Sequence, residues 1–244
     1  MHVYGGNAMS SYSALPIFKP LVLAPDPNSW LQAENSGDTG GPSMVVPHGS
    51  YTLGEDENGN LRVGLSPVSA ASSTPWDTFY FYNDVGFQTD VRLLSQEIGF
   101  NFPTAADFAA CEAFEWEMEY AVNGDVWNCG WQVLPAADSN SVQVRIFNDT
   151  LQVWKALPTS VTVAAPFFGR MIRIVTEHTL TADHETHVAV WFDGKRFPVN
   201  VSQQVLRGRW PKGVNYLHTA FQFDCKQAGT PFTAIVASAG VTEK

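Results

Sequence analysis

Basic residues are scarce in this sequence. Lys and Arg number 14 against 24 Asp and Glu, which leaves a formal net charge of -10 and a pI near 4.9. A surface of that sign repels polyphosphate and anionic lipid, so neither nucleic acid nor a membrane is an expected partner. Charge of either sign is thin, at 16% of residues, a poor basis for amphipathic helices. Long apolar runs are also missing. Leu15 to Pro25 is broken by Pro16, Lys19 and Pro20 and is far shorter than the roughly 20 apolar residues of a membrane span. No Lys or Arg precedes Lys19, so the basic start of a secretory leader is not visible. The three cysteines, Cys111, Cys129 and Cys225, are too few for a disulfide scaffold. They allow at most one internal bridge, with Cys129 to Cys225 as the candidate pair, and the core must stand by itself. There is no internal repeat, no nucleotide-binding βαβ unit and no Gly-x-Ser-x-Gly elbow.

What is present is a chain of 244 residues, 45% hydrophobic and 13% aromatic, with 8 Trp and 15 Pro. That is enough apolar material for one large β domain. A single domain is expected over residues 1–244, with a Pro/Gly-rich arm and loop over 1–44 and a β-rich core over 45–240. The loop is richest in Gly, Ser and Asn from Asn35 to Ser43. The core reads as short alternating runs separated by turn dipeptides. Tyr51–Leu53 and Leu61–Leu65 flank Glu57-Asn58-Gly59-Asn60. Val142–Phe147 and Leu151–Trp154 flank Asn148-Asp149, and His187–Phe192 and Arg196–Asn200 flank Asp193-Gly194. Pro103 and the Ala-rich run after it predict a turn or two of helix.

The chemistry is concentrated in Phe114 to Val133. With Asn123-Gly124 as a two-residue turn, Val122 pairs with Asp125 and the register follows by counting outward. One face then holds Trp116, Met118 and Tyr120 opposite Trp131, Cys129 and Trp127. The other holds Glu115, Glu117 and Glu119 opposite Gln132, Gly130 and Asn128. A one-residue slip would set carboxylates against tryptophans, so the register is well specified. Three carboxylates at alternate positions repel one another unless water, protons, a metal or a ligand compensates. Glu, Gln and Asn offer acceptors and donors to sugar hydroxyls, and Gly130 leaves a gap for a ring. In the next hairpin the same counting pairs Arg145 with Gln152 and Gln143 with Trp154. That places Trp154 on a polar face as a stacking platform.

Organised this way, residues 45 to 240 resemble the concanavalin A-like lectin and glucanase superfamily, which implies two antiparallel sheets in a jelly roll with a glycan-binding face. The strand Glu115-Trp116-Glu117-Met118-Glu119 is similar to the Glu-x-Asp-x-Glu strand of family 16 glycoside hydrolases. The resemblance implies Glu115 as nucleophile, Glu117 as helper and Glu119 as acid/base of a retaining mechanism, with Glu117 replacing the family's Asp. Positions i and i+4 lie about 13 Å apart along a flat strand, against about 5 to 5.5 Å for retaining carboxylates. The stretch Glu115 to Gln132 is more similar still to secreted microbial concanavalin A-like proteins of no known activity, which implies an extracellular location.

Other clusters carry weaker signals. Glu177-His178 and Asp183-His184-Glu185-Thr186-His187 gather metal-ligand types, but read as a polar hairpin turn. Asp56-x-Asn58-Gly59-Asn60 is a candidate structural calcium site as well as a turn. Asn148-Asp149-Thr150 and Asn200-Val201-Ser202 fit the N-glycosylation pattern. Arg207-Gly208-Arg209-Trp210-Pro211-Lys212, the basic cluster of the chain, suggests a uronate clamp, with Tyr216 and His218 as base and acid of a β-elimination.

The expectation is thus an all-β, antiparallel β-sandwich of jelly-roll type that binds a poly- or oligosaccharide. Glu115, Glu117, Glu119, Asn128, Gln132 and Arg145 supply polar contacts and Trp154 stacks. The alternatives are a retaining endo-glycosidase, a polysaccharide lyase, and a non-catalytic interaction domain. No cofactor is expected beyond a candidate calcium ion.

Overall fold

A computed structural model describes residues 31–32, 49–68, 78–84, 90–135, 142–148, 151, 153–157, 161, 166–226 and 228–243. The expected loop from Asn35 to Ser43 and residues 149, 150 and 152 of the third hairpin lie outside them. In chain order the elements are β1 Leu31–Gln32, β2 Ser50–Glu55, β3 Leu61–Ser66, β4 Thr78–Asp84, β5 Leu93–Asn101, α1 Ala105–Ala110, β6 Cys111–Val122, β7 Asp125–Asn128 and β8 Trp131–Pro135. They continue with β9 Val142–Asn148, β10 Val153–Ala156, β11 Ile172–Leu180, β12 His184–Phe192, β13 Lys195–Gln204, β14 Tyr216–Cys225 and β15 Phe232–Glu243.

The strands form two antiparallel sheets. One has the order β1-β4-β14-β6-β8-β9-β10, with β7 also paired to β6; the other has the order β13-β12-β11-β5-β15-β3-β2. Alternation along the strands decides which face is buried. In β3, Leu61, Val63 and Leu65 are buried and Arg62 and Ser66 are exposed. In β9, Val142, Val144 and Ile146 point into the core. The two sheets meet over a core to which one contributes Phe79, Phe114, Trp116, Trp131 and Phe223, and the other Ile98, Phe100, Ile174, Val190 and Val236. Burial of each such side chain stabilises the fold by about 1.5–3 kcal/mol. Trp116 and Trp131 stack at the middle, ring centroids 6.5 Å apart and planes within 5°.

Polar links cross between the sheets. Gln96 of β5, fully buried, donates to Thr219 Oγ1 at 2.6 Å and to the Glu117 backbone carbonyl at 3.0 Å. Trp131 Nε1 donates to His178 Nε2 at 2.9 Å. That bond assigns the neutral imidazole to His178, and burial together with the nearby His187 holds its pKa well below the ordinary histidine value.

The hairpin expectations are met at three places. Val122 pairs with Asp125, Phe192 with Lys195, and Leu61 with Glu55 around a turn whose Gly59 has φ +75°. In that last turn Asp56 accepts from the backbone of Asn58 and Asn60 and from the Asn60 side chain. The predicted helix is α1. Its cap is Thr104, whose hydroxyl accepts from the Asp107 backbone at 3.1 Å while Asp107 accepts from the Thr104 backbone at 3.0 Å.

Two expectations are corrected. Trp154 pairs with Phe147 and Ala156 with Arg145, so Trp154 does not face Gln143 and Arg145 does not face residue 152. The strands resume pairing at Asn148 and Val153, so the connection has four residues and not two. Asn148 Oδ1 accepts from the Leu151 backbone inside it. Cys129 and Cys225 are not neighbours either. The residue opposite Cys225 is Cys111, while Cys129 lies in a separate apolar cluster with Met118, Tyr120 and Trp127.

Candidate functional site

The Glu-bearing face of β6 points away from the second sheet, because the alternate residues Trp116, Met118 and Tyr120 fill the interior. Glu115 pairs with Gln132 and Glu119 with Asn128, as the outward count from Asn123-Gly124 requires. On the other flank, β14 sets Gln222 opposite Glu115, Ala220 opposite Glu117 and His218 opposite Glu119. Beyond β14, β4 sets Tyr80 opposite Gln222. The three glutamates are half-buried, and each is held by its own donors.

Glu115 Oε1 accepts from Gln132 Nε2, and its Oε2 accepts from Gln222 Nε2 at 2.7 Å. The same Gln222 amide donates to Asp224 Oδ1 at 2.9 Å. Arg145 Nη1 reaches Gln132 Oε1 at 3.5 Å, which continues the chain of hydrogen bonds from β9 to β14. Burial, and after it the Asp224 carboxylate, pushes the Glu115 pKa well above its ordinary value. Glu117 Oε1 accepts from Tyr80 Oη at 2.5 Å. Its pKa is also raised, by burial first and by Glu119 second, against the lowering effect of His218 and of the Tyr80 bond.

Glu119 Oε1 accepts from Tyr216 Oη, which in turn accepts from Trp210 Nε1 at 2.7 Å. Burial and the Glu119 charge raise the Tyr216 pKa, so the phenol keeps its proton as donor. The Tyr216 and His218 rings stack, centroids 5.1 Å apart and planes 9° from parallel. Nε2 of His218 lies 3.7 Å from Glu119 Oε2.

The loop that brings Trp210 and Tyr216 here is fixed by the Asn123-Gly124 turn. Gly124 N donates to Val214 O and Trp210 N to Gly124 O, both at 3.0 Å. Asn123 N donates to Asn215 Oδ1 at 2.8 Å, and Gly213 N donates to Asn123 Oδ1 at 2.9 Å. Positive φ at Asn123 and Gly124, +51° and +88°, lets the turn lie this close.

Among the described residues, Glu117, Glu119 and His218 form the group of metal-ligand types whose atoms all lie within 4.8 Å of one another. Chemically this is a pair of close carboxylates and an imidazole. Such a set can share a proton, bind polar hydroxyls or supply three ligands to a divalent cation. The His184-x-x-His187 pair is split by strand alternation: His184 is exposed, whereas His187 is buried beside Glu185 and Gln203.

Trp154 keeps to the polar face despite its changed partner. Facing Phe147 and not Gln143, it is displaced by four residues along β9, and an even displacement preserves the face. It meets the Phe147 ring edge-to-face at 5.1 Å. The gap expected at Gly130 is filled by the protein itself. A Cβ built there would lie 3.1 Å from Phe147 Cβ, 3.3 Å from Asn128 Oδ1 and 3.6 Å from Trp154 Cη2. Gly130 therefore seats Trp154 and does not open a slot for a ring.

The expected uronate clamp is engaged elsewhere. Arg207 Nη1 donates to Asp125 at 2.5 Å and Nη2 to Asp183 at 2.6 Å, with a further bond to the Ala182 carbonyl. It ties its own loop to Asp183, 24 residues away in sequence, and to Asp125, 82 residues away. Of its proposed helpers, Tyr216 and His218 stand instead against Glu119. Tyr80, Gln222 and Asp224 are site residues that the sequence reading missed. The polar alternation of His218, Gln222 and Asp224 among Leu217, Phe221 and Phe223 is the signal that marked the two on β14.

No protein-family model matches the chain, and no curated protein matches it in sequence. Solved structures do. An endo-1,3-β-glucanase from Streptomyces sioyaensis superposes with a TM-score of 0.53 at 12% identity, covering 98% of this chain and 99% of that one. A family 7 alginate lyase in complex with its product gives a TM-score of 0.50 at 11% identity, covering 95% and 100%. Peanut lectin aligns with a TM-score of 0.48 at 12% identity, covering 88% and 97%. What the chain shares with the glucanase and the alginate lyase is architecture: it has the concanavalin A-like jelly-roll fold of two antiparallel sheets.

Proposed function

We propose that this protein binds a neutral poly- or oligosaccharide across the outer face of the β6 sheet. The observation that carries this reading is the kind of donor that holds the glutamate row. Glu115, Glu117 and Glu119 accept from Gln132, Gln222, Tyr80 and Tyr216, all uncharged; of basic side chains, Arg145 reaches Gln132 and His218 lies 3.7 Å from Glu119. The acidic set Glu115, Glu117, Glu119 and Asp224 offers a polyuronate few cations to pair with and suits hydroxyl-rich neutral sugar. Asn128 and the half-buried carboxylates supply donors and acceptors, Gln132 holds Glu115 from beneath, and Trp154 supplies an apolar platform at the β10 edge. The fold shared with a glucanase supports a glycan ligand.

The test is affinity electrophoresis and calorimetry against neutral β-glucans, mannans and xylans, with alginate and pectate beside them. Binding to a neutral glycan with no binding to the polyuronates is expected. Preference for the polyuronates, or no response to any neutral glycan, overturns the proposal.

A second reading, a retaining glycosidase, is favoured by one distance. An oxygen of Glu117 and one of Glu119 lie no more than 4.8 Å apart, no farther than the roughly 5 to 5.5 Å that separates the carboxyl groups of a retaining pair. On this reading Glu117, with its raised pKa, protonates the leaving oxygen and Glu119 attacks the anomeric carbon; water then releases the sugar. Glu115, engaged with Asp224, stands behind the pair. Mass spectrometry of soluble products decides it. Oligosaccharides that vanish in both Glu117→Gln and Glu119→Gln establish turnover, and products that persist in either variant exclude this pair.

A further inference from the structure

Cys111 opens β6 four residues before Glu115, and Cys225 closes β14 one residue after Asp224. They are registered directly opposite each other on paired antiparallel strands, after a bulge at Asp224 that realigns the ladder. Neither side chain is exposed to solvent. Directly opposed residues of an antiparallel pair have Cα atoms about 4.5–5.5 Å apart, inside the roughly 4.4–6.8 Å that a disulfide spans. The Cys111 Sγ lies 3.1 Å from the Ala113 carbonyl of its own strand and 3.7 Å from the carbonyl of Asp224, the residue before Cys225 on the partner strand. The third cysteine, Cys129, is buried in the other apolar cluster beside Glu185, so it does not compete for either sulfur.

From this juxtaposition we infer that Cys111 and Cys225 are the site of a cross-strand disulfide that forms when the chain folds in the presence of a disulfide oxidant. With glutathione disulfide, one protein thiolate attacks a glutathione sulfur, releasing one glutathione and leaving a mixed disulfide. The second protein thiolate then displaces the other glutathione. Two S–H bonds are lost from the protein, one S–S bond forms, and the two electrons and two protons leave on two glutathione thiols. Burial and the neighbouring Cys225 hold the Cys111 thiol well above its ordinary pKa, so the native thiols react slowly and the bridge closes during folding. Once closed, it ties the glutamate strand to the strand carrying Gln222 and Asp224, at the end where both meet Glu115.

The full chain is unfolded with reductant, refolded in a glutathione redox couple rich in the disulfide, and the soluble fraction is acid-quenched, alkylated in denaturant and digested. One alkylated thiol, Cys129, is expected, together with a linked peptide pair about 2 Da lighter than its two thiol peptides. Reductant should lower the thermal midpoint of wild type and of Cys129→Ala by a similar several degrees, and should leave Cys225→Ser unchanged. Three alkylated thiols in the refolded wild type, or a linked pair containing Cys129, overturns the inference, and neither result depends on a variant folding.

Discussion

Tyr80 donates its hydroxyl to Glu117 at 2.5 Å although the two residues stand on strands that are not neighbours. Strand β14 lies between them, and its residue opposite Glu117 is Ala220, whose methyl group leaves the path clear. The bond favours the ionised carboxylate against burial and against Glu119, both of which favour the proton. Tyr80→Phe keeps the ring in place and removes the donor. At a pH above the Glu117 titration, where the carboxylate is ionised, the variant should lose about 1.5–3 kcal/mol, the range for a hydrogen bond to a charged group. At a pH below that titration, where the proton satisfies the carboxylate, the loss should shrink. Urea unfolding at the two pH values measures it, and an equal loss at both would reduce Tyr80 to a packing role.

The raised pKa values of Glu115 and Glu117 set the sign of the pH dependence of stability. A carboxyl whose folded pKa lies above the ordinary 4.5 keeps its proton in a window where the unfolded chain has already lost it. Stability contributed by these groups is therefore complete below that window and falls as pH rises through the raised folded values. The thermal midpoint should climb as the protein is taken from pH 8 down towards pH 5.5. Glu115→Gln, which cannot ionise, should flatten that slope and be at least as stable as wild type at pH 8. A midpoint that rises with pH over this range, or a slope unchanged by the substitution, would refute the assignment.

Local pattern made the glutamate strand legible. The Asn123-Gly124 turn fixes Val122 opposite Asp125, and the alternation of Glu with Trp, Met and Tyr leaves one register that buries the apolar set, the one found from Trp116↔Trp131 to Tyr120↔Trp127. The order of strands across the sheet has no such local marker. That β14 lies beside β6 with β4 beyond it, bringing Tyr80, Tyr216, His218, Gln222 and Asp224 to the glutamates, depends on contacts more than 35 residues apart. The Trp154 pairing was missed because connection length, not dipeptide type, sets a hairpin register, whereas its face survived because the displacement was even. Gly130 shows the converse limit. A missing side chain in the sequence marks close approach by something, and only the fold says that the neighbours are Phe147 and Trp154.

If a glycan lies across this face, Trp154 is where its affinity should be most sensitive. The ring is half-buried on a short edge strand and rests against Phe147 and Gly130, so its loss removes a platform and little of the core. Trp154→Ala should leave the unfolding transition cooperative and weaken glycan binding by roughly 5–30-fold, the equivalent of about 1–2 kcal/mol. Calorimetry with the tightest-binding oligosaccharide is the measurement. An unchanged affinity would remove Trp154 from the binding surface.

Gly124 and Gly194 form a matched pair for testing how the Trp210 loop is held. Both are second residues of two-residue hairpin turns, after Asn123 and Asp193, with φ of +88° and +84°. An alanine at either must adopt the left-handed conformation, which costs about 1–2 kcal/mol. Around Gly194 there is nothing within 4 Å of the added methyl, so that cost should be the whole effect. At Gly124 the methyl would lie 2.3 Å from the Trp210 carbonyl oxygen and 2.8 Å from that of Pro211. Backbone atoms fixed by the Gly124–Val214 and Trp210–Gly124 hydrogen bonds cannot move aside without breaking them. Gly124→Ala should therefore cost about 1–3 kcal/mol more than Gly194→Ala, the usual range for overpacking, in parallel urea titrations. Because Trp210 positions Tyr216 and Tyr216 holds Glu119, the Gly124 variant should also bind glycan more weakly, and the Gly194 variant should not. Equal losses of stability would mean that the turn does not hold the loop, and that Tyr216 reaches Glu119 by the geometry of β14 alone.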